Sequence, residues 1–162
     1  MSDDGVLKGT RVAKRANIRD IRLFESSAEL KDLSGPGRLQ WDLDVTPDVS
    51  YSDGDDHFVI TIFYRIEIER ADDSGKFEKD GRAAEVAIIS FRFGALYDLR
   101  PDSRSHKIKR EELDAYAKTC AISALYPYMR EYVHDVTIRM GLPPLIMDVH
   151  PSPSAVESDA SK

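Results

Sequence analysis

A chain of 162 residues that is 41% apolar and 32% charged holds one domain with a substantial core and a large wet surface, and is too short for two ordinary domains. Acidic residues outnumber Lys and Arg by 29 to 23, and the net charge of −6 comes without a basic block; that argues against a nucleic-acid partner, because phosphate neutralisation needs clustered cations. No apolar run is long enough for membrane insertion, and a single cysteine, Cys120, excludes an internal disulfide and a thiolate metal cluster and fits a reducing cytoplasm.

Residues 1–10 are polar and predict a flexible lead-in, whose acidic start is unlike a secretory signal. Residues 11–150 read as the single domain. From Arg11 to Phe24 an irregular strand is expected, with Ile18, Ile21, Leu23 and Phe24 set among Arg19, Asp20 and Arg22. Ser34-Gly35-Pro36-Gly37 breaks it. Leu39, Trp41, Leu43 and Val45 then alternate with Gln40, Asp42, Asp44 and Thr46, the period-two signature of a half-exposed strand. Pro47 interrupts it and marks an edge or a bulge there. Beyond a turn at Asp53–Asp56 comes the most regular strand, with Phe58, Ile60, Ile62, Tyr64, Ile66 and Ile68 on one face. Charges and glycines over Asp72–Gly81 lead to a fourth strand at Arg82–Tyr97. Four strands joined by turn-rich links predict an antiparallel meander.

A polar stretch at Pro101–Arg110 then gives way to helix-forming sequence. A short helix over Glu111–Ser123 and a long one over Tyr126–Met140 are expected, with Pro127 at the first helical position, where its missing N–H costs nothing. Leu125, Met129, Tyr132, Val133, Val136 and Met140 recur at spacings of three and four as one stripe. Gly141 caps the helix and Pro143-Pro144 stop it. Residues 151–162, rich in Ser, Pro and acid, predict a disordered tail. The fold class is α+β: a four-stranded antiparallel sheet followed by a short helix and one long helix. One helix cannot cover both faces of such a sheet, and Val59 and Phe63 place apolar side chains on the second face. The surplus predicts a second copy of the chain or an open apolar groove.

The sequence carries no phosphate-cradling glycine loop, nucleophile elbow or zincin pair. His57, His106, His134 and His150 lack ligand spacing, so neither a metal nor a cofactor is expected. Cys120 reads as a small buried hydrophobe. No residue stands out as catalytic. A hot-dog-like acyl-thioester enzyme or ligand carrier would have to use Glu131, His134 or Asp135 on the long helix, whose spacing equally suits a solvated face. A scaffold for one folded partner, such as an antitoxin, is a further alternative.

Two stretches resemble a known family. Ala124-Leu125-Tyr126-Pro127-Tyr128-Met129-Arg130-Glu131, running on to Gly141-Leu142-Pro143-Pro144-Leu145, is similar to the main helix and Pro-rich exit of SecB-type export chaperones. Gly94-Ala95-Leu96-Tyr97, Gln40-Trp41-Asp42-Leu43-Asp44 and Arg19-Asp20-Ile21 resemble its fourth, second and first strands. The wording of Ile18–Leu23 and Leu125–Tyr128 is similar to SecB-like proteins of actinobacteria, some of which accompany toxin–antitoxin pairs. The resemblance implies a cytoplasmic, ATP-independent holdase built as a homotetramer, a dimer of dimers, in which unfolded client polypeptides lie in apolar grooves. It places Leu39, Trp41, Leu43 and Val45, with Leu96 and Tyr97, on the client groove. It places Leu125, Tyr128, Met129, Tyr132, Val133, Val136 and Met140 at the interface between copies. A SecA-type translocase motor would touch Asp20 and, with Ser90 standing where the family has a strand-four Glu, the nearby Glu85. A dedicated client such as an antitoxin is the other implied partner. The lid helix common in the family has no counterpart over Asp148–Lys162.

Overall fold

The computed structural model describes residues 3–33, 38–71, 84–101 and 107–147. The breaker at 34–37, the whole acidic turn at 72–81 and the tail at 151–162 lie outside them. Four strands, β1 (Ala16–Leu30), β2 (Leu39–Ser50), β3 (His57–Arg70) and β4 (Ala84–Leu99), form one antiparallel sheet. Their order is β1-β4-β3-β2, so β2, β3 and β4 make the expected meander, while β1 lies on the far side of β4. β1 and β2 therefore follow each other in the chain but lie at opposite edges of the sheet. Arg70 holds Asp32, just past β1, at 2.6 Å, and the Lys31 and Asp32 amides donate to the Val86 carbonyl.

The helix layer covers one face. On that face β3 contributes Phe58, Ile60, Ile62, Tyr64, Ile66 and Ile68 and β4 contributes Ala87, Ile89, Phe91, Phe93, Ala95, Tyr97 and Leu99, all buried. The register sets these rows opposite each other, as in Tyr64 against Phe91 and Phe58 against Tyr97. Both of those ring pairs stack, at 5.1 and 4.9 Å.

The helices differ from the expectation in three ways. Asp3–Ala13 forms a helix, α1, in place of a flexible segment, with Val12 buried in the core. Gly9 lets α1 approach α2 (Arg110–Tyr116) closely, because a Cβ there would meet Thr119 Oγ1 at 2.8 Å and the Ala115 carbonyl oxygen at 3.3 Å. Second, α2 runs without a break through a π turn at Ala117–Ala121 into α3 (Ile122–Arg139). Third, Pro127 therefore sits inside a helix. The Ser123 carbonyl that loses its partner belongs to an exposed residue, so water can satisfy it. At the far end the Thr137 hydroxyl donates to the Val133 carbonyl at 2.9 Å and accepts from the Leu145 amide at 3.2 Å. Gly141, with φ of +74°, turns the chain as expected of a cap.

Candidate functional site

The β2 row splits from the rest of the expected groove. Leu39, Trp41, Leu43 and Val45 stand opposite Arg70, Ile68, Ile66 and Tyr64. They line the margin of the helix-covered face, on an edge strand with no neighbour beyond it. Leu39, Leu43 and Val45 are half-buried against the core and Trp41 is 39% exposed. The row forms one side of an apolar trough at the margin of the helix layer, and the π turn packs against the same strand. Asp42 and Asp44 lie on the reverse side of the strand, exposed.

Leu96 and Tyr97 do not join this trough. Tyr97 is wholly buried, stacked on Phe58 and edge-on to Tyr116 at 5.5 Å. Leu96, pointing the opposite way, lies half-buried on the outward face of the sheet. The period of two makes this unavoidable: consecutive strand residues cannot share a face without a bulge, and β4 has none there.

The helix stripe is also redistributed. Leu125, Met129 and Val133 are completely buried inside the protomer, and Tyr132 is spent on Phe91 at 4.5 Å and Phe93 at 6.0 Å. Val136 and Met140 are half-buried. Of the residues expected between copies, Tyr128 alone is freely presented, 46% exposed. The protomer's own sheet covers the stripe. Glu131 and His134 point to solvent, and Asp135 is tied to Arg139 at 2.9 Å, which is the solvated-face arrangement.

A second patch of unspent apolar surface lies on β1. Ile18 and Leu23 are exposed on the helix side, and Phe24 is 61% exposed on the outward side with its ring across Gly94. Register shifts at Arg19 and Phe24 produce this two-sided pattern. Sequence reasoning saw these side chains as strand filling; the missing alternation was the available signal of the bulges.

Asp20 and Glu85 are not one site. Their positions along β4 are eleven residues apart, about 36 Å of strand. Asp20 pairs with Arg22 at 2.6 Å and Glu85 with Lys31 at 2.8 Å. Elsewhere on the outward face Arg92 holds Glu25 at 3.0 Å and Arg65 holds Glu67 at 2.7 Å. The charges there are matched locally.

Two polar atoms on the helix-covered face stand out. The hydroxyls of Tyr64 and Tyr97 are buried without a hydrogen-bond partner of good geometry. Burial pushes both phenols far above their ordinary range, and Tyr97 is raised further by the adjacent Tyr116 hydroxyl. Among the described residues no group of acidic, His or Cys side chains is arranged to hold a metal, and no helix is long and apolar enough to cross a membrane.

No family model matches the chain. Individual proteins do. It is 39% identical over 158 residues to the SecB-like chaperone Rv1957 of Mycobacterium tuberculosis strain H37Rv, a match covering 94% of this chain and 87% of that protein. The SecB-like chaperone MT2006 of strain CDC 1551 is 38% identical over 157 residues with the same coverage. Among solved structures, Rv1957 in complex with a ChAD peptide from the Rv1956 HigA1 antitoxin superposes with a TM-score of 0.77 at 36% identity, over 90% of this chain and 98% of that one.

Proposed function

We propose that this chain, which belongs to the SecB-like chaperones, is an ATP-independent holdase whose β2 trough receives an extended segment of a non-native client, in the first place an antitoxin. The observation that supports this is an exposed tryptophan with a half-buried aliphatic row on an edge strand. Such a surface gains on the order of 25 cal/mol for each Å² of apolar area that a client covers, before ordering costs. The solved relative carries an antitoxin peptide, and the same class of client suits this trough.

A role in export through a translocase motor has less support. Its two expected contacts lie at opposite ends of the sheet and are each already ion-paired. The assembly we propose is a homotetramer in the cytoplasm. Two protomers join through the open β1 edge, burying Ile18, Leu23 and Phe24, and pairs associate through helix faces that present Tyr128 and Ile138.

The test is an aggregation assay on a chemically denatured substrate without nucleotide, at near-equimolar chaperone. Suppression by the natural chain and its loss in Trp41→Ala is the expected result. An inert natural chain defeats the proposal. A trough that binds a folded antitoxin but no unfolded chain favours the scaffold instead.

A further inference from the structure

Tyr64 is the one polar-tipped residue in the β3 row, between Ile62 and Ile66 and in line with Phe58, Ile60 and Ile68. Its direct neighbour on β2 is Val45, so it lies buried one strand in from the trough. Its ring is clamped: it stacks on Phe91 at 5.1 Å, and Phe91 is held by Tyr132 of α3 at 4.5 Å. Yet the hydroxyl that this clamp orients has no partner. A phenylalanine would fill the same volume without the cost of a buried, unsatisfied hydroxyl.

A client laid in an apolar trough has the complementary problem. Its side chains gain by burial, but its backbone carbonyls lose water and need a donor. Resting on the trough reading above, we propose that the Tyr64 hydroxyl is a hydrogen-bond anchor for a backbone carbonyl of the bound client. Entry requires the hydroxyl to be uncovered. The helix element on its ring pair is α3, through Tyr132 on Phe91, and the π turn lies against β2 alongside. An anchor that reads a carbonyl selects no side chain; it fixes where one peptide unit sits while Trp41 and its row grip whatever flanks it. The phenol stays neutral throughout the pH range in which the protein is handled, because burial disfavours its charged form, so the donor is always present.

The experiment compares the natural chain, Tyr64→Phe and Trp41→Ala for binding of fluorescein-labelled, reduced and carboxymethylated lysozyme, a permanently unfolded probe, by anisotropy. Thermal midpoint and solution mass are measured on each. The expected result is that Tyr64→Phe weakens binding about two- to tenfold with an unchanged or higher midpoint and unchanged mass. Unaltered affinity in Tyr64→Phe with weakened binding in Trp41→Ala overturns the anchor and leaves the trough standing. Unaltered affinity in both removes the trough and the anchor together. A lower midpoint or smaller mass in Tyr64→Phe makes the hydroxyl structural and also overturns the proposal.

Discussion

Leu96 and Tyr97 are neighbours in the chain and lie on opposite sides of the sheet, and the consequences of replacing them differ accordingly. Tyr97→Ala removes a ring packed between Phe58 and Tyr116 and is expected to cost about 3–5 kcal/mol in urea denaturation; any loss of client binding then follows from unfolding. Trp41→Ala is expected to leave the urea midpoint nearly in place, because the ring is already 39% exposed, while abolishing most client capture. On the outward face Gly94→Ala drives a methyl into the Phe24 ring, which must swing away. The penalty is expected to vanish in a Phe24→Ala background, measurable as a double-mutant cycle. Histidine gives the pH signature. The Asp56 hydrogen bond to His57 Nδ1 at 3.0 Å raises the His57 pKa and lowers that of Asp56. The histidine's contribution is present below its unfolded pKa and fades as pH rises through the raised value. That of Asp56 is present above the ordinary carboxylate range and fades as pH falls through the lowered value. A proton NMR titration of the ring should show an elevated His57 midpoint that falls in Asp56→Asn, with the charges of Asp55 and Asp98 still acting on it.

Elements were legible where period alone decides them. The alternation over β2 and β3 and the Gly141 cap appear as the residues foretell. What period cannot report is a partner distant in sequence. α1 is polar along most of its length and earns its helix by docking: Val12 enters the core, Lys8 meets Glu111 at 3.4 Å, and Arg11 lies 3.6 Å from the buried Glu112. Glu112 in turn accepts from the Lys109 amide at 3.0 Å and so closes the start of α2. Pro127 suggested a helix start because a proline inside a helix is usually costly; an exposed carbonyl four residues earlier made the interior position tolerable. Gly9 is the sharpest test of the docking. Ala is the better helix former by about 1 kcal/mol, yet Gly9→Ala is expected to lower the thermal midpoint, because Thr119 is held by its own bond to the Ala115 carbonyl at 2.8 Å and cannot retreat. Removing the obstacle with Thr119→Ala should turn the same substitution neutral or stabilising.

At the scale of the whole molecule, the sequence pointed to surplus apolar surface and the structure moves it. The long-helix stripe, which seemed to need a second copy, is absorbed by the protomer's own sheet. Part of the surplus sits on β1, whose place beside β4 no local pattern could announce, since strand order depends on a crossover and not on the strands' own residues. If β1 is the seam between copies, Leu23→Lys should halve the mass measured by light scattering while leaving the protomer's circular dichroism intact. An unchanged mass would place the contact elsewhere.

The two borders of this sheet are built unlike. Along β1 runs a 15-residue strand with greasy side chains on both of its sides; β2 instead carries Pro47 midway and the carboxylates of Asp42, Asp44 and Asp48. Only the first invites edge-to-edge pairing. If two copies join through it, the border better suited to pairing is used up in each, and edge-to-edge growth would stop at a pair of sheets. Concentrated solutions should then stay free of filaments, which static light scattering at rising protein concentration would check.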